Sequence, residues 1–356
     1  MQVFGGAALP SSLTAATSEA IKELLHEGES PNTRASYQSA MRYWGAWFLM
    51  RFGQEMQLPL NVPVVLQFIV DHVERNTDAG LVSEMPPDMA QALVDAGYKG
   101  KTAAPSHNTL VHRISVLSKA HQVHGLANPC QELPVRELMA RTRKAYARRG
   151  VHAQKKDALT RNEMEKILAT CDDSLRGLRD KALLLFAWAS GGRRRSEVTN
   201  ADMRHLRRMA SGEYIYKLAY SKTNQSGVDT PDNNKPITGM AAHALTHWLT
   251  ASQITEGAIF RSVRRGGHVG VALSPAAVRK IVLERCALAG VEGDYSAHSL
   301  RSGFVTEAGR QNIPLADTMA LTGHRSVNTV IGYFRADNSL SNRAARLLEE
   351  ESAPKL

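Results

Sequence analysis

The chain has 356 residues, 43% hydrophobic and 22% charged, with 44 Lys and Arg against 34 Asp and Glu for a net charge of +10. That length exceeds one ordinary core and predicts two domains, while the composition excludes a disordered or fibrous chain. The cation excess favours a polyanionic partner. Cys130, Cys171 and Cys286 show no C-x-x-C spacing, so no disulfide framework or zinc site is indicated and a reducing cytoplasm fits. The N-terminus lacks the basic and apolar regions of a signal peptide, and no run approaches the ~18 uncharged apolar residues of a membrane span.

Residues 1–14 read as a loose arm, followed by a short helix over about Thr17 to His26. Ser30-Pro31-Asn32 supplies a cap and an early proline for a long helix. Its Tyr37, Met41, Trp44, Trp47 and Phe48 make one apolar stripe, with Arg34 and Arg42 off it. A third helix is predicted from Val62 to about Arg75 by Val65, Leu66, Ile69, Val70 and Val73. The glycines and prolines of 76–105 predict an irregular excursion holding one short helix at 88–96, to which the residues assign no function. From Ser106 to His124 a helix carries Leu110, Ile114, Leu117 and Ala120 on one side and Asn108, His112, Arg113 and Lys119 elsewhere. A fifth begins near Pro134 and runs into a basic stretch holding Arg141, Arg143, Lys144, Arg148, Arg149, Lys155 and Lys156. A charge run is usually a solvated face. Here 141–158 reads as a basic linker between a helical domain at 15–140 and a second domain at 159–338.

Thr160-Arg161-Asn162-Glu163 is a capping-box pattern, and 175–190 reads as a mostly buried helix. Tyr214 to Tyr220 alternates as a hairpin strand ahead of the turn-rich QSGVDTPDNN. Helices follow at about 241–252, 275–289, 298–311, 314–321 and 326–334, and a last one at about 341–351. The expected class is mainly α, with one small antiparallel sheet in the second half.

The residues that carry chemistry lie in HSLRSGFVTEAGRQNIPLADTMALTGHRSVNTVIGYFR. His298 and Arg301, at i and i+3, share a helical face and can converge on one small anion. His324 sits in a Gly-His-Arg turn, and Tyr333, nine residues on, is a candidate covalent nucleophile. Tyr295 precedes His298 and reads as packing. No carboxylate or cysteine completes a metal-ligand set with the two histidines.

H-x-x-R, then G-H, then this tyrosine resembles the tyrosine recombinase (phage integrase) family. GGRRRSEV at 191–198 resembles the family's first arginine motif, G-x-R-x-S-E, aligning Arg194 rather than Arg193 or Arg195. Lys222 in YSKTNQSG resembles its β-hairpin lysine, with Lys217 and Lys235 nearby. The stretches MRYWGAWF, MARTRKA and GYFRADNSLSNRAARLLEEES resemble one branch of the family, which carries tryptophan where His324 stands and a shorter segment at 76–105.

The resemblance implies an N-terminal helical core-binding (SAM-like) domain and a C-terminal α+β catalytic domain, together forming a C-shaped clamp on DNA. It implies strand cleavage by Tyr333 through a 3′-phosphotyrosyl bond, without metal, cofactor or ATP. Arg194 and Arg301 clamp the phosphate, Lys222 is the general acid, His298 accepts the tyrosine proton or orients the phosphate, and His324 donates to a non-bridging oxygen. Glu197 steadies Arg194. The expected partners are double-stranded DNA target sites and three further copies in a synaptic tetramer assembled from monomers or weak oligomers. A C-terminal helix within 339–356 would dock on a neighbouring protomer or on its own domain. Candidate DNA contacts are Arg34, Asn108, His112, Arg113, Arg141, Arg143, Lys144 and Lys280. A type IB topoisomerase, a hairpin-telomere resolvase and a catalytically silent DNA-binding regulator stay open as alternatives.

Overall fold

Ser30 starts the first long helix as its sequence predicts. In this computed structural model, the Ser30 hydroxyl accepts from the Thr33 amide at 3.1 Å, and Pro31 fills the first turn of α1 (Pro31–Phe52), where no amide hydrogen is missed. The structure describes residues 23, 28–78, 80–151, 156–218 and 230–337, with 333–337 by backbone alone. The expected N-terminal arm, nearly all of the helix at 17–26, Lys155, Lys222 and the helix at 341–351 lie outside the described residues. The chain divides into two compact units, Met1–Ala153 and Gln154–Leu356.

In the first unit the predicted stripe of α1 is its buried face. Trp44 stacks on Phe68 of α2 (Val62–His72) with ring centroids 3.5 Å apart, and the Trp47 indole donates to Asp71 at 2.9 Å. α2 ends three residues before the expected Arg75, because the chain turns into a hairpin: β1 (Arg75–Thr77) pairs antiparallel with β2 (Gly80–Val82). α3 (Pro87–Asp95) follows, and Met85, Met89, Ala90 and Leu93 join the core of α1 and α2. The short helix expected at 88–96 is therefore present, one residue earlier, and the chain ahead of it is a hairpin rather than irregular. Three-residue strands are too short to show alternation.

α4 (His107–Val123), capped by Ser106, and α5 (Leu133–Arg148) complete the unit. Arg141, Arg143 and Lys144 are thus helical and not part of a linker strap. Val135, Thr142 and Tyr146 give α5 a buried face that holds it on this unit while its cations face solvent.

The second unit opens with the predicted capping box: the Thr160 amide donates to the Glu163 carboxylate at 2.9 Å ahead of α6 (Arg161–Ala169). α7 (Leu175–Ala189) is the central helix, buried from Ala182 to Ala187, and leads toward the short α8 (Arg195–Thr199). A three-stranded antiparallel sheet follows, with β3 (Leu206–Arg208), β4 (Tyr214–Lys217) and β5 (Asn234–Ile237) in that order. The expected strand is present over Tyr214–Lys217, and its expected end at Tyr220 lies outside the described residues. α9 (Gly239–Ser252) packs on α7.

With a second hairpin, β6 (Arg261–Arg264) with β7 (His268–Ala272), the described residues of this unit hold two small sheets rather than the one expected. Gly266 and Gly267 turn it at φ of 89° and 83°. Four helices end the described part of the unit: α10 (Pro275–Leu288), α11 (Ser299–Arg310), α12 (Leu315–Thr322) and α13 (Val327–Asp337). Among the described residues no helix is long and apolar enough to cross a membrane.

Candidate active site

Two glycines bring distant stretches of the second unit together. Gly191 and Gly192 follow α7 at φ of 96° and 68°, conformations that side-chain-bearing residues rarely adopt. A Cβ on Gly191 would lie 2.5 Å from the Leu321 carbonyl oxygen, and one on Gly192 would lie 2.3 Å from Arg301 Cα. The chain before Arg194 therefore lies directly on α11 and on the end of α12.

The result is a cleft of about 330 Å³ lined by Arg193, Arg194, Arg195, Ser196, Arg279, Ser296, Ala297, His298 and Arg301. Arg194 and Arg301, far apart in sequence, face the same space. Glu197 fixes Arg194 as expected. Its carboxylate accepts from Arg194 Nη1 at 2.8 Å and from the Arg194 amide at 3.2 Å, with the acid buried and the arginine half-exposed.

Arg301 is 2% exposed; its Nη1 donates to the Gly192 carbonyl and its Nε to His324 Nε2, both at 3.2 Å. His324 follows the left-handed Gly323 that ends α12. The tautomer of His324 follows from its neighbours. Thr322 directs its hydroxyl hydrogen to the Thr318 carbonyl at 2.8 Å, so it must accept from His324 Nδ1–H, also at 2.8 Å. His324 Nε2 is then the acceptor for Arg301. Burial, then Arg301 and Arg194, push the His324 imidazole down to about 4, which keeps it neutral. His298, at the N-cap of α11, is lowered by partial desolvation of its ring in the cleft and by the same two arginines.

Tyr333 lies on α13, which packs against α11 and carries a fully buried Val330. Its side chain is outside the described residues, as is Lys222. Of the two lysines flanking Lys222, Lys235 is buried and donates to the Ala320 carbonyl at 2.8 Å. Tyr295 is buried and donates to the Glu292 carbonyl at 3.1 Å, in keeping with packing. Among the described residues no three His, Cys, Asp or Glu side chains gather at metal-binding distance.

The candidate DNA contacts separate. Asn108 and Arg143 line one cleft of the first unit with Ser106, His107 and Tyr146. His112 is exposed and hydrogen-bonds Ser36 at 2.9 Å, tying α4 to α1, the helix that carries Arg34. Arg113 turns inward: its guanidinium lies 3.3 Å over the Tyr43 ring, half-buried, instead of reaching out to a groove. Arg141 pairs with Glu137 at 2.6 Å and Lys280 with Glu284 at 3.5 Å, all on exposed helix faces, and Lys144 is exposed. Arg279, next to Lys280, is the cation that reaches the active cleft, because α10 packs against α8. No pattern in the sequence separates it from Lys280.

Residues 157–339 match the model of the phage integrase family. The chain belongs to the phage integrase family. It is a tyrosine site-specific recombinase, the activity its motifs imply. It is 30% identical over 247 residues to an integrase/recombinase xerD homolog of Selenomonas ruminantium, covering 67% of this chain and 71% of that one. Over 259 residues it is 24% identical to the recombinase cre of Escherichia phage P1, covering 68% and 74%. Among solved structures, a lambda integrase (75–356) dimer bound to a COC′ core site has a TM-score of 0.52 at 17% identity, covering 89% of this chain and 93% of that one. The Tn1549 transposon integrase in complex with transposon right end DNA has a TM-score of 0.51 at 13% identity, covering 91% and 98%. These two likenesses are of fold.

Proposed function

We propose that this recombinase cuts and reseals double-stranded DNA at a specific site by attack of Tyr333 on a backbone phosphate. The attack displaces the 5′-oxygen and leaves a 3′-phosphotyrosyl bond. One phosphodiester replaces another, so resealing needs neither ATP nor a metal. The observation that carries this reading is the shared cleft: Arg194, His298 and Arg301 line one space, with His324 hydrogen-bonded to Arg301.

Each role follows from charge and geometry. Arg194 and Arg301 present guanidinium donors to the non-bridging oxygens, where negative charge grows in the pentacovalent transition state. His298, held neutral beside them, accepts the proton of Tyr333. His324 acts differently from the direct phosphate donor of the sequence reading. With Nε2 occupied by Arg301, it orients that guanidinium. Lys222 is the proposed acid for the leaving oxygen.

Both units would contact the duplex, with Arg34, Asn108, His112, Arg141, Arg143, Lys144 and Lys280 on its phosphates, and Arg279 as an addition beside the cleft. Four protomers on two sites, joined through the chain beyond residue 338, complete the assembly. Three free cysteines fit a reducing cytoplasm.

The test is to incubate the protein, in EDTA, with DNA flanking its own gene and map covalently trapped 3′ ends. Wild type traps at one site, and Tyr333→Phe binds that site without an adduct. An adduct that persists in Tyr333→Phe moves the nucleophile elsewhere.

A further inference from the structure

The C-terminus of α12 delivers His324 to Arg301, and two buried cations outside the catalytic set hold it there. The last four carbonyls of an α-helix have no partner within it. Here the Met319 carbonyl accepts from the Gly323 amide at 2.7 Å, which closes the left-handed turn. Ala320 accepts from Lys235 Nζ at 2.8 Å. Leu321 and Thr322 both accept from Arg193 Nη2, at 2.7 Å and 3.2 Å. All four carbonyls are thus occupied, three of them by cations, the charge sign that a helix C-terminus favours.

Neither cation belongs to the surface. Arg193 and Lys235 are each 2% exposed. Lys235 alternates inward from β5 beside Ile237, opposite Tyr216 of β4. Arg193 is tied at its other end to Glu197, at 3.6 Å, and the same carboxylate holds Arg194 at 2.8 Å. A single buried network therefore runs from Arg194 through Glu197 and Arg193 to the Thr322 backbone. The Thr322 hydroxyl in turn holds the His324 ring against Arg301. Burying two cations is costly unless they are paired, and both are spent on the segment that aims His324.

We propose that Arg193 and Lys235 are positioning residues for strand cleavage, which fix the turn after α12 so that His324 holds the Arg301 guanidinium in register with Arg194. The proposal rests on the cleavage reading above and extends it to residues that touch no substrate.

The test is a pair of double-mutant cycles read by single-turnover formation of the covalent adduct at the mapped site, with affinity for uncleaved target DNA measured in parallel. Arg193→Gln and Lys235→Met are made in the wild-type and His324→Ala backgrounds, and Lys235→Arg serves as the conservative variant. A displacement near 1 Å is enough to slow a positioned reaction about 100-fold. Arg193→Gln and Lys235→Met should each slow adduct formation roughly 10- to 100-fold at unchanged affinity, and Lys235→Arg should recover most of the rate. In the His324→Ala background the same changes should cost no more than about twofold. Equal slowing in both backgrounds, or full activity of either folded variant, overturns the proposal. The two cycles are independent, so loss of folding in one leaves the other to decide. A wild type that forms no adduct at all would overturn the cleavage reading itself.

Discussion

Arg301 donates in fixed directions to the Gly192 carbonyl and to His324 Nε2. A lysine ammonium keeps the charge and cannot reproduce both bonds while also facing the cleft. Arg301→Lys should therefore bind DNA normally and cleave about 10²–10³-fold more slowly in single-turnover assays. Loss of less than about fivefold would mean that charge alone suffices there. His298 and His324 both have lowered pKa values, so each is neutral at pH 7. A neutral His298 acts as base above its folded pKa and loses that role as pH falls through it. The cleavage rate should be flat from pH 8 to about 6.5 and decline below the ordinary histidine value. A rate that rises toward pH 5 would remove His298 as the base. At this scale the spacing that puts His298 and Arg301 on one cleft could be read directly, as could the pairing of Glu197 with Arg194. Arg193, Arg279 and Lys235 could not, because their neighbours come from α12, α8 and the sheet, and no local pattern encodes such packing.

Among the elements, the helices with side-chain caps were legible from one end. Ser30, Ser106 and Thr160 mark starts that the backbone obeys: the two serines each supply an acceptor to an otherwise unpaired amide, and Glu163 reaches back to accept from the Thr160 amide. The hairpins at 75–82 and 261–272 were not, because strands of three to five residues carry too few alternations. Packing between elements sets two further expectations. Gly192→Ala would place a Cβ 2.3 Å from Arg301 Cα, at a φ of 68°. It should shift α11 against the arginine loop and slow cleavage at least about 10²-fold while affinity for DNA holds. A second-unit core network ties Asp180 of α7 to Arg179 at 2.5 Å and to Arg285 of α10 at 2.7 Å, all three buried. Asp180→Ala strands two guanidiniums and should destabilise the unit by about 3–5 kcal/mol in urea melts. A change under about 1 kcal/mol would show that water reaches them.

For the whole molecule, the excess of ten positive charges sets how affinity responds to salt. A protein that covers about 6–10 phosphates loses roughly 10³–10⁵ in affinity between 50 and 200 mM salt, and this recombinase should fall in that range. A fall below about tenfold would confine the duplex to one unit. Length made the two-unit organisation readable and charge balance pointed to a polyanionic partner, whereas the end of α5 inside the basic run was fixed by its buried Val135, Thr142 and Tyr146. The central claim is that Arg194 and Arg301 hold one DNA phosphate for attack by Tyr333. Its most direct test is peptide mass spectrometry of the protein–DNA adduct trapped from wild type and from Arg194→Ala. The account predicts a 3′-phosphonucleotide on Tyr333 in wild type and its loss by about 10²-fold or more in the variant. A nucleotide carried on any other residue, or joined through a 5′-phosphate, would contradict it.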